Sequence, residues 1–138
     1  MAGDTTYRLQ GPAVPEALHQ LHELFERVRQ EHDDLHPDDL SMVQTAVLEI
    51  AGNVAEHGQP SGQVQYSFRL QVLPDRLHGW LSDSGEAVPA SAQDPEMPGE
   101  MAEEGRGLAL AEAALDELSY ERSQGRNRWE LVRLRRSS

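Results

Sequence analysis

The stretch TAVLEIAGNVAEHG, Thr45 to Gly58, decides the reading of this chain. Val47, Ile50 and Val54 recur at helical spacing and continue an apolar stripe begun by Leu40 and Val43. Pro37 suits the first turn of that helix, and Asp38 and Asp39 favour its positive amino end. Gly58, Gln59 and Pro60 stop it near His57. The spacing therefore predicts a helix over 38–57. Beside its stripe stand Glu49, Asn53 and His57, four residues apart, so the three side chains share one face. An amide or carboxylate oxygen there suits Mg2+, a cation that takes hard oxygen ligands and keeps waters. A carboxylate beside a transferred group can also act as a general base. Alone, the trio reads first as what any solvated helix face offers. Gly52 and Asn53 are poor helix formers, however, and need a reason to stand there.

Upstream, Tyr7 to Gln10 reads as a short strand ended by Gly11 and Pro12. A helix from Pro15 to about Glu31 follows, with Ala17, Leu18, Leu21, Leu24, Phe25 and Val28 at helical spacing. Downstream the period changes to two. Val64, Tyr66, Phe68, Leu70 and Val72 alternate with polar residues, and a turn at Pro74 and Asp75 leads into a second strand, Arg76 to Ser82. A helix is expected from Leu108 to about Leu118. Strands follow over Leu118 to Arg122 and Trp129 to Arg135, joined at Gln124 and Gly125. The order βααββαββ predicts a two-layer α/β sandwich with a mixed, mainly antiparallel sheet and helices on one face.

The bulk numbers narrow the function. The 138 residues suit one domain, 1–138. With 12 basic against 24 acidic residues the net charge is −12, which disfavours direct nucleic-acid binding. There is no cysteine, so disulfides, thiolate metal sites and cysteine nucleophiles are excluded. Neither a secretory signal nor a membrane-length apolar run is present, so a cytoplasmic protein away from membranes is expected.

Two further patches carry chemistry. Asp83-Ser84-Gly85 ends a strand and could set a carboxylate at a pocket mouth, where it can accept from the exocyclic amine of an adenine. Gly105-Arg106-Gly107 precedes a helix starting at Leu108. Its glycines would let backbone approach a phosphate, the helix end offers free N–H groups, and Arg106 can add a charge-assisted contact. Between the patches runs a Pro-, Ala-, Gly- and acid-rich stretch, Glu86 to Glu104, of lid length.

In that order the motifs are far more specific than apart. TAVLEIAGNVAEHG, then SDSG (Ser82 to Gly85), then EEGRGLAL (Glu103 to Leu110) resembles the GHKL, or histidine-kinase-like, ATPase superfamily of histidine kinases and gyrase B. Within it the chain looks most like the small anti-sigma-factor serine kinases of bacterial partner-switching systems. The resemblance spans Tyr7 to Arg135 and implies ATP or ADP and Mg2+ as cofactors. It also implies roles. Asn53 would hold Mg2+ on the ATP phosphates, Glu49 would be the base for a substrate serine, and His57 would lie near the phosphates. Asp83 would accept from the adenine amine, with Gly85 allowing close approach. Gly105, Arg106, Gly107 and Leu108 would line the phosphates, and 86–104 would be the ATP lid. Implied partners are a STAS-type anti-anti-sigma factor and a sigma factor, with a possible homodimer. The sequence departs from the family pattern at Ala87, where a glycine is usual, and on the last strand, NRWELVRL (Asn127 to Leu134), which has no threonine.

Two classes of function follow: a kinase that phosphorylates the anti-anti-sigma partner, or a regulatory binding module without kinase activity. A switch kinase acting on another regulator would carry the same catalytic residues. The pairs His19 and His22, and His32 and His36, read as surface histidines, and the terminal Arg133 to Arg136 as a solvated strand end.

Overall fold

The helix at the centre of the sequence reading forms as expected and is the long member of a helical layer. The computed structural model describes residues 5–57, 64–85 and 110–136, with 53–57 given as helix backbone. In chain order these are β1 (Thr5–Pro12), α1 (Pro15–Glu31), α2 (Pro37–His57), β2 (Gln65–Val72), β3 (Arg76–Asp83), β4 (Glu117–Ser123) and β5 (Arg126–Leu134). The expected lid and the Gly105 to Leu108 motif lie outside the described residues.

The strands form one five-stranded sheet in the order β1-β2-β3-β5-β4. All its described pairings are antiparallel, so the expected mixed sheet is uniform here. The helix expected to end near Leu118 ends sooner. Helix is present over 110–113, and Leu118 already pairs with Leu131 in β4. β5 also starts earlier than its apolar alternation suggested. Gln124 and Gly125 have φ of 54° and 76°, so both loop residues of the β4–β5 hairpin are left-handed. That is the type I′ geometry whose twist matches the flanking strands, and the ladder resumes at once with Arg126 opposite Ser123.

The helices cover one sheet face. Leu21, Phe25 and Val28 of α1 and Leu40, Val43, Val47 and Ile50 of α2 are all buried, as the helical stripes require. They meet Phe68, Leu70, Leu77, Leu81 and Leu131 from the sheet. The Phe25 and Phe68 rings lie 6.0 Å apart at 37°, within the range for a favourable aromatic pair.

The first turn of α2 is pinned by the end of β5. Asp39 is fully buried and accepts from Arg133 Nε at 3.0 Å and from the Arg136 backbone N–H at 2.8 Å. Burial alone would push its carboxyl pKa up. The Arg136 and Arg133 hydrogen bonds and the charges of both guanidiniums outweigh burial and hold it below the usual range. Arg135 reaches Asp34 at 2.9 Å and Arg136 reaches Asp38 at 3.1 Å. The terminal arginines are thus a clasp on the helical layer, not the solvated strand end that their composition suggested. His22 and His36 have local partners too. The ring of His22 meets Gln44 of α2 at 3.1 Å, and His36 accepts from the Asp38 N–H.

Candidate functional site

β3 ends by placing Asp83 on the helix-covered face. Its pattern alternates buried and half-buried, which sends Leu77, Gly79, Leu81 and Asp83 inward. Asp83 is 1% exposed, so its carboxylate has lost water and must find other partners. Oδ1 finds two: the Gly85 N–H at 2.8 Å and the side-chain amide of Asn127 at 2.9 Å. Oδ2 is buried and, among the described residues, has none.

Asn127 is held in turn. Its Oδ1 accepts from the hydroxyl of Tyr120 and, at 3.0 Å, from Arg122 Nη1. The same Arg122 nitrogen donates to the Gly85 carbonyl at 2.9 Å. The loop after β3 is fixed from the other side as well: Ser84 N–H donates to the Gln65 carbonyl at 3.0 Å, and Ser84 Oγ accepts from the Gln65 N–H at 2.9 Å. Neighbouring strands supply the whole frame. Tyr66 of β2 is the register partner of Asp83, Asp83 of Asn127, and Asn127 of Arg122. Tyr66 is buried, with a hydroxyl that meets no partner among the described residues and is pushed up in pKa by that burial.

Of the residues expected at the site, Asp83 and Gly85 are brought together directly. Glu49 is half-buried on α2, beside the apolar stripe, and its carboxylate has neither a hydrogen bond nor an ion pair among the described residues. The helix packs against β3 and β5. Asn53 and His57 continue the same helix by position, and their side chains lie outside the described residues, as do Gly105, Arg106, Gly107 and Leu108. Among the described residues no group of three His, Asp or Glu side chains gathers to hold a metal ion.

Sequence reasoning missed Asn127, Arg122 and Tyr120. The available signal was Asn127 two residues before Trp129, on the same face of one strand. Starting that strand at Trp129 hid it.

A model of the histidine kinase-like ATPase domain matches residues 11–134. The chain belongs to the histidine kinase-like ATPase family. Among solved structures similar to this family member are the RsbU and RsbW domains of a Mycobacterium tuberculosis protein, at 18% identity and a TM-score of 0.70, covering 97% of this chain and 34% of that one. The histidine kinase domain of a blue-light-activated histidine kinase from Erythrobacter litoralis is similar at 14% identity and a TM-score of 0.55, covering 88% of this chain and 60% of that one. The chain therefore spans about a third of the first structure's length, and at these identities the likeness is one of fold. No curated protein matches by sequence.

Proposed function

We propose that this histidine kinase-like ATPase domain is a protein-serine kinase and anti-sigma factor that binds ATP at the Asp83 end of the sheet. The observation that carries the nucleotide site is the bare, buried Oδ2 of Asp83. A desolvated acceptor with no partner is costly unless something donates to it, and an adenine exocyclic amine does so. The residues fit the group. Asp83 reads the amine, and Gly85, without a side chain, lets the base come close. Asn53 would hold Mg2+, which supplies charge neutralisation along the phosphates when bound. His57, Gly105, Arg106, Gly107 and Leu108 would line those phosphates.

Glu49 supports the transfer reading. Its carboxylate meets no cation among the described residues, and a carboxylate beside a transferred group can serve as a general base. In the proposed reaction the serine oxygen bonds to the γ-phosphorus, the bond to the bridging oxygen breaks, ADP leaves, and the serine proton passes to Glu49. The substrate would be a serine on a STAS-type anti-anti-sigma factor. Its new charge would disfavour the complex and free this protein to hold a sigma factor.

The test is transfer of labelled γ-phosphate to the STAS-type partner, compared with ATP affinity by calorimetry. Glu49→Gln is expected to slow transfer by about 10²- to 10⁴-fold, the usual worth of a general base, with ATP affinity kept. Transfer at an undiminished rate would remove Glu49 from the role of base. Sigma-factor binding without any transfer by the unaltered protein would leave a regulatory binding module.

A further inference from the structure

All 12 basic residues of the chain are arginines. Arg29, Arg76, Arg133, Arg135 and Arg136 hold carboxylates. Arg122 is engaged by Gly85 and Asn127, and Arg27 lies 5.1 Å from the centre of the Tyr7 ring. Arg8, Arg69, Arg126 and Arg128 meet no carboxylate among the described residues. These four line one concavity of about 740 Å³ on the sheet face away from the helices. On a protein of net charge −12, four described arginines without a carboxylate partner thus gather in one place.

The arrangement is costly as it stands. Arg8 and Arg69 are directly opposite on β1 and β2, and like charges so placed repel. Arg69 escapes over Trp80, 4.1 Å from the ring centre, which leaves its Nε buried without a partner. Arg126 donates to Ser82 Oγ at 3.2 Å, and that hydroxyl meets Ser67 Oγ at 2.9 Å. The neighbouring Glu130 is taken by His78 at 2.6 Å.

The spacing indicates the kind of occupant. Arg8 and Arg69 sit on adjacent strands, and Arg126 and Arg128 sit on β5, two strands from β2. Glu130 is the residue of β5 level with Arg69, so Arg128 and Arg126 are offset along the strand by two and four residues. At about 4.8 Å per strand step and about 3.3 Å per residue the nearest members of the two pairs stand roughly 12 Å apart, too far for one carboxylate or phosphate to serve both. Residues four apart in an extended peptide point the same way and span about 13 Å. We propose that this face docks an extended acidic segment of a protein partner, with acidic side chains four residues apart meeting the two arginine pairs and Trp80 between them. Two copies of the chain meeting here about a two-fold axis would set guanidinium against guanidinium. A nucleic acid would meet the overall negative charge. The surface lies opposite the face that buries Asp83, and the proposal does not depend on the kinase reading.

The test uses three fluorescein-labelled probes in about 50 mM salt, where surface charges are only partly screened. They are a decapeptide with glutamate at every fourth position, its glutamine counterpart, and a ten-base oligothymidylate. The glutamate peptide is expected to bind roughly tenfold or more tightly than either other probe, and to lose at least that factor in the double variant Arg8→Ala/Arg128→Ala. Both substituted side chains are exposed, and an unchanged melting temperature checks that the fold is intact. Absence of glutamate-peptide binding, equal binding by the double variant, or preference for the oligonucleotide overturns the proposal. A dimer that the double variant dissociates would assign the face to a second copy and overturn it too.

Discussion

The side-chain amide of Asn127 donates to Oδ1 of Asp83 at 2.9 Å across the β3–β5 ladder, and Oδ2 of the same carboxylate stays buried without a partner. One oxygen is thereby fixed by the protein, and the other is the one proposed above to meet the adenine amine. Asn127 stands on β5, a strand without a threonine, and its amide restrains the acceptor.

Asn127→Ala is expected to weaken ADP binding about tenfold, near 1.4 kcal/mol, by releasing Asp83 from its position. Asp83→Ala is expected to weaken it further, because the acceptor itself is gone. Calorimetry with ADP and Mg2+ on both variants reads the order. Equal affinity of Asn127→Ala and the unaltered protein would show that the amide does not position the carboxylate.

Asp39 should govern acid stability. Its folded pKa lies below the unfolded value of about 3.9. Its contribution is therefore present above pH 4 and is lost as pH falls through the lower folded value. Asp39→Ala removes the shared partner of Arg133 and Arg136 and is expected to cost about 3–5 kcal/mol near neutral pH. The gap between variant and parent should narrow as pH falls below 4. Urea unfolding at stepped pH measures both, and a gap that does not change with pH would refute the assignment.

Gly52 stands inside α2, and a Cβ built there meets nothing within 4 Å. Gly52→Ala should stabilise the helix by about 0.5–1 kcal/mol and raise the melting temperature by a few degrees. A lower melting temperature would mean that the helix needs its glycine.

Gly125 is the opposite case. At φ of 76° in the β4–β5 turn it holds a conformation that side chains resist. Gly125→Ala is expected to cost about 1 kcal/mol, seen as a lower melting temperature with nucleotide affinity little changed. The two glycine variants, measured side by side, separate a replaceable glycine from a required one.

Most of the fold was legible because its signals are local. The stripes of α1 and α2 and the alternation through Val64 to Val72 belong to consecutive residues, and each buries the face it promised. Edges were harder. Trp129 looked like the start of β5 only because Arg126 to Arg128 are polar, and the left-handed Gln124 that restarts the ladder at Arg126 carries no strong signature. The same blind spot concealed Asn127. Its role rests on a cross-strand register with Asp83, 44 residues away, which no spacing rule exposes. The clasp of Arg133 and Arg136 on Asp39 was hidden for the same reason, since it joins groups 94 and 97 residues apart.

The strand order has a consequence for biogenesis. β5, the last strand in sequence, lies inside the sheet between β3 and β4, and its final arginines lock the start of α2. During synthesis, β1, β2 and β3 can pair as they emerge, but one edge of β3 stays open until residue 134 has been made. Until then the nascent domain exposes an unpaired ladder and a buried aspartate without its cations, a state that invites chaperones or mispairing. Completion of this domain is therefore a late, single event, set by the arrival of its last strand.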